Sequence, residues 1–135
     1  MTLQFATSTR DARLDAIEID AGVSAKLMIY TGSVPANCAA ATTGTKLAEF
    51  DLASDWAGNA SGGAKALNNL PLSTTGTATG TAGYFRLFKT DGTTCQIQGT
   101  VTATGGGGDM MLDNTSIASG QTVNVTSFTI TDGNA

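Results

Sequence analysis

Residues 83–101, GYFRLFKTDGTTCQIQGTV, constrain the fold more than any other part of the chain. An apolar run, then Asp91-Gly92, then a second, alternating run predicts two antiparallel strands joined by a tight turn, here of type I′. A hairpin of that length needs a sheet around it, and the composition suits one. Thr, Ala, Gly and Ser make up 69 of the 135 residues. Thr favours strands and Gly favours turns, while the strong helix formers Glu, Lys, Gln and Met are scarce.

Strand signals recur on both sides of the hairpin. AKLMIYTG is a short apolar run ended by Gly32, suited to a strand buried on both faces. KLAEFDL alternates, with Ala48, Phe50 and Leu52 on one side and Glu49 and Asp51 on the other. ALNNLPL reads as a weaker edge strand, because Pro71 cannot donate to a ladder. Met110 to Leu112 form a short strand, and Ser119-Gly120 a turn. VPANCAAATTGT and ASDWAGNASGGAK are loops, STTGTATGTAG is part strand and part loop, and TGGGGD must be irregular.

The segment 120–131, GQTVNVTSFTIT, changes faces halfway: Val123 and Val125 share one parity, Phe128 and Ile130 the other. A β-bulge, or a strand crossing between sheets, keeps both pairs on the core side.

One helix is expected, over residues 8–20. Ser8 and Asp11 make a capping-box-like start, Ala12, Leu14, Ala16 and Ile17 supply an apolar stripe, and Gly22 is the stop. Asp11, Asp15 and Glu18 are expected on its solvated face. The chain thus reads as one mainly β domain over 1–135, an antiparallel sandwich or barrel of jelly-roll or immunoglobulin-like type. It has seven or eight short strands between about 25 and 131 and one N-terminal helix. A chain of this length buries roughly two-thirds of its unfolded surface and so has a real core.

Function classes fall away in turn. A net charge of −4 with only 13% charged residues gives no attraction for phosphate backbones, so no direct nucleic-acid binding is expected. No apolar run approaches the ~20 residues that span a bilayer, and the start lacks the signal-peptide pattern, so synthesis in a cytoplasm and no membrane partner are expected. There is no histidine, which removes the commonest base and metal ligand at neutral pH.

The remaining candidates are weak in chemistry. Glu49 and Asp51 lie two apart on one strand face, as glycosidase carboxylates ~5–9 Å apart could, but aromatic cleft walls are scarce. TGTK at 43–46 and GGGGD at 105–109 lack phosphate-loop spacing. Asp109 and Asp113 offer two of the 6–8 oxygens calcium takes. Neither metal nor cofactor is expected, and no catalytic residue.

Cys38 and Cys95 stand 57 positions apart. They are either two separately buried small hydrophobes, which a reducing cytoplasm favours, or a disulfide formed once the protein is outside the cell. In the chain-entropy model a loop that long stabilises by roughly 4 kcal/mol.

Three stretches, MTLQFATSTRDARLDAIEIDAG, LMIYTGSVPANCAAATTGTKLAEFDL and MMLDNTSIASGQTVNVTSFTITDGN, are familiar together with the hairpin opening GTATGTAGYFRLFKTDGTTC. In order and spacing the chain resembles a group of small virion proteins of tailed bacteriophages. The resemblance implies a capsid decoration, or cement, protein on the head surface, made in the host bacterial cytoplasm, or alternatively a decoration of neck or tail. Its implied partners are the major capsid protein and neighbouring copies of itself. The residues expected at contacts are Phe5 and the segment before it, Trp56 and its loop, and Gly105, Gly106, Gly107 and Gly108. Two rival readings are a surface carbohydrate-binding module using Trp56, Tyr30 or Tyr84, and a glycan hydrolase using Glu49 and Asp51.

Overall fold

The computed structural model describes residues 2–133. One helix, α1 (Thr7–Ala21), precedes nine strands: β1 (Lys26–Thr31), β2 (Lys46–Asp51), β3 (Ala64–Ala66), β4 (Leu72–Thr75), β5 (Gly80–Phe88), β6 (Cys95–Ala103), β7 (Met110–Leu112), β8 (Ser116–Ile117) and β9 (Thr122–Thr131). They form one sheet in the order β2-β1-β5-β6-β7-β9-β3, with β4 also on β9 and β8 on β5. The mainly β class and the N-terminal helix are as expected. The sheet is mixed, because β6 and β7 run parallel, and it curls into a half-barrel. Its far ends are drawn together where the Thr74 hydroxyl donates to the Glu49 carbonyl (2.9 Å) and the Thr77 N–H to that of Leu47 (2.8 Å).

The apolar run of β1 is buried on both faces. Leu27 and Ile29 enter the main core with Phe50, Phe85, Leu87, Met110, Val125 and Phe128. Met28 and Tyr30 point the other way, into a second cluster with Tyr84 and Phe88. Residues 33–45 fold back as a strap towards this outer cluster, against which Val34 packs. Arg86, buried on β5, fastens the strap by donating to the carbonyls of Ala40 (2.9 Å) and Asn37 (3.1 Å) and to the Thr42 hydroxyl (3.2 Å). Cys38 on the strap and Cys95 on β6 are joined by a disulfide, their Cα atoms 5.3 Å apart.

The slip in 120–131 is a β-bulge. Met111 pairs with Ser127 but Leu112 with Val125, which leaves Thr126 as the extra residue. Val123, Val125 and Phe128 are all buried as a result. The Thr126 hydroxyl donates to the Met111 carbonyl at 3.2 Å, so the irregular rung keeps a polar partner.

Several local expectations are corrected. The hairpin turn is not type I′, which needs positive φ at both central residues. Only Gly92 has it (69°); among described non-glycine residues positive φ occurs at Ser24 and Asn69. Asp91 instead turns its carboxylate back to accept the N–H groups of Thr93 and Thr94, both at 2.8 Å. Ser8 does not cap α1: the helix opens at Thr7 with Ala6 before it and no side-chain cap. Gly22 ends it as expected, at φ 80°. ALNNLPL is not one strand. β3 stops at Ala66, the chain turns through Asn69 and a cis Leu70-Pro71 bond, and β4 begins at Leu72.

The tetraglycine loop returns the chain from β6 to the parallel β7 in only six residues, 104–109, where a dozen or more is usual. It does so by lying against its own strand. A Cβ on Gly106 would sit 2.7 Å from the Thr102 Cβ, and one on Gly108 3.0 Å from the Thr102 nitrogen. Side chains would not fit.

Candidate functional site

The acidic stripe of α1 does not face solvent as expected. Its 4- and 3-residue spacing places Asp11, Asp15 and Glu18 along the loop between β2 and β3. There they accept the backbone N–H groups of Gly63 (2.7 Å), Ala60 (2.8 Å) and Ala57 (3.1 Å). Lys65 of β3 rises beneath them, 2% exposed, with its ammonium 2.9 Å from both the Asp15 and Glu18 carboxylates and 2.8 Å from the Gly58 carbonyl. The Ala60 N–H, then Lys65, hold the Asp15 carboxyl below its ordinary range. Burial works to lower the Lys65 pKa, but its two carboxylates outweigh it and leave it raised. This is a clamp that seats the helix on the loop.

The outward face of the same helix is uncharged. Ser8, Ala12, Ala16 and Ile19 are exposed along it, Ile19 at 81%, and Val23 continues the surface just past the helix end. The five-residue arm before the helix adds Leu3, 75% exposed, and Phe5, whose ring lies 4.8 Å under the Arg13 guanidinium. Four of the five large exposed hydrophobic side chains among the described residues thus belong to the arm and the helix end. An amphipathic surface helix ordinarily turns its charges outward. Here Asp11, Asp15 and Glu18 point inward, into the clamp, and Arg13 and Asp20 are left at the rim of the uncharged face.

The structure scatters the other candidates. Glu49 and Asp51 share a face of β2, but Lys26 pairs with both and Lys46 with Glu49. Asp109 takes the Thr100 N–H and hydroxyl, both at 2.8 Å, and these lower its pKa; the Asp113 carboxylate accepts from Asn124 at 2.7 Å. Among the described residues no cluster of three or more His, Cys, Asp or Glu could hold a metal ion. Trp56 is buried in the main core, which withdraws it as a surface contact and as a sugar platform; Tyr30 and Tyr84 are buried too, stacked on each other. Gly105, Gly106 and Gly107 are exposed and Gly108 is half-buried.

The clamp escaped the sequence reading because its acceptors are aimed at backbone N–H groups, which carry no residue signature. The one available signal was Lys65, a lone cation after a long loop whose one charged residue is Asp55. No family model, no curated protein and no solved structure matches the chain, so the site is read from its own residues.

Proposed function

We propose that the protein is a structural component of a tailed-phage particle, a decoration or cement protein that binds the outside of the head lattice and stabilises it. The reading rests on the sequence resemblance, and the observation that carries it is the uncharged outward face of α1 with its apolar arm. An apolar surface of this kind, rimmed by Arg13 and Asp20, suits burial against another protein. Burial of Ile19 and Val23 between coat subunits favours the assembled lattice by mass action. The tight fold, strapped by a disulfide, suits a protein that works outside the cell.

The test uses heads of the phage that encodes the chain, prepared without the protein and then supplied with it. Bound protein should raise the temperature at which heads release DNA, and Ile19→Asp combined with Val23→Asp should abolish the gain. Heads equally heat-resistant with and without it would overturn the stabilising role.

A further inference from the structure

The sheet has a gap one strand wide. β7 fills the space between β6 and β9 only where Met110 pairs with Val101 on one side and Phe128 on the other. Past that level both flanking strands continue, through residues 95–100 of β6 and 129–131 of β9, with no strand between them among the described residues; α1 closes the far end, where Gln96 donates to the Ile17 carbonyl (2.8 Å) and Arg10 to that of Asp132 (2.8 Å). Neighbours of one shared strand stand two spacings apart, about 9.6 Å. The glycine loop sets this limit. It turns Asp109 onto Thr100 and delivers the chain into β7 too late to fill the rest.

Ladder groups face the gap from both edges, with the Thr100 N–H already taken by Asp109. On β9 the Phe128 carbonyl and the Asp132 N–H are taken by Leu67 and Gly63 on the β3 side. Strand alternation therefore turns the backbone of Thr129 and Thr131 towards the gap. On β6 the Thr100 N–H points into it, to Asp109, and alternation does the same for Gln98. A cavity of about 200 Å³ lies there, apolar on its core side, with Phe85, Ile97, Phe128 and Ile130, and polar around them, with Gln98, Asp109, Thr129 and Thr131. A second, of about 300 Å³, shares Ile130 and continues to Leu14 and Ile17 of α1.

A gap with two strand edges and an apolar floor takes an extended peptide with side chains alternating apolar and polar. The chain carries one. Residues 2–6 read Thr-Leu-Gln-Phe-Ala, lie outside any strand, and put Leu3 and Phe5 on one face. Five extended residues span about 16 Å, enough to line the gap. In its own molecule Leu3 is not seated in the gap, since it remains three-quarters exposed.

We propose that the gap between β6 and β9 accepts residues 2–6 of a second copy of this chain as an added strand, with Leu3 and Phe5 seated over Ile97, Phe128 and Ile130. Each copy gives one arm and takes one, so the contact closes either as a reciprocal two-fold pair or head to tail around a ring. The inference goes beyond the proposed function and stands without a phage head.

Sedimentation equilibrium of the purified full chain tests it. The protein should associate with rising concentration, and removal of residues 2–6 should leave a folded monomer with an unchanged cooperative melt. Leu3→Asp should weaken association by about tenfold or more, equivalent to 1.4 kcal/mol or above. Thr129→Pro, which deletes an N–H on the receiving edge, should do the same while leaving the arm intact. A full chain that stays monomeric would overturn the proposal, including one whose arm is protected from hydrogen exchange within its own gap. So would association that survives both the truncation and Thr129→Pro.

Discussion

At the scale of single residues the molecule is held by ionised groups aimed at backbone, and Lys65 is the strongest case. Its ammonium is buried and meets Asp15, Glu18 and Gly58 at once. Breaking a buried pair from one side usually costs 3–5 kcal/mol, and the solvent reaching Asp15 puts this one near the low end. Lys65→Ala should therefore cost about 3 kcal/mol in urea denaturation, with the helix the first element to lose hydrogen-exchange protection. A loss within about 0.5 kcal/mol would mean that the clamp does not seat the helix. Acid should act through the same kind of contact. Asp91 is held down to about 2 by the Thr94 hydroxyl, then by the N–H groups of Thr94 and Thr93. Its folded pKa lies below the unfolded value of about 3.9, so its contribution is complete above that value and is lost as pH falls towards 2. Asp91→Asn should flatten that part of the acid-stability curve, measured as denaturation midpoints at neutral pH and at successive steps below the ordinary carboxylate range. The acids were visible in the sequence, but their targets were not, because any residue can supply a backbone N–H.

Among elements, the two ends of the hydrophobic pattern were unequally legible. The parity slip at 123–130 could be read in advance, since a period of two admits few remedies, and the structure supplies one in Thr126. Deleting Thr126 should remove the bulge: Val123, Val125, Phe128 and Ile130 then alternate with an unbroken period of two, so all four stay on the core side and the cooperative melt should survive. Loss of that melt would mean that the extra residue does more than restore parity. The parallel β6–β7 pair was not legible, because its signal is four glycines that pack no side chain. Their necessity is steric. Gly106→Ala and Gly108→Ala, each pressed on Thr102, should destabilise by about 1–3 kcal/mol in urea denaturation. Values near zero would mean that the loop has room to move off its strand. ALNNLPL misled for a related reason: its apolar residues belong to a turn and the start of β4, joined by a bond that no periodicity reports.

On the scale of the whole molecule, one core and one strap account for the shape. Composition and turn spacing sufficed for the mainly β class, but not for the mixed sheet, the curl or the pairing of the cysteines. The strap 33–45 is closed by a link spanning 57 residues, so Cys38→Ser with Cys95→Ser should cost about 4 kcal/mol in the chain-entropy model. Proteolysis should then begin within the strap, while Arg86 still holds it against the sheet. Cleavage elsewhere first would mean that the strap does not depend on the disulfide. Above the fold, the central claim is that this chain is a building part of a particle, presenting an uncharged helix and arm to its neighbours. Its copy number in purified particles, counted by quantitative mass spectrometry against the major coat protein, tests that most directly. The account predicts a number in simple proportion to the coat protein. A small fixed number would move the protein to the neck or tail, and absence from the particle would contradict the account.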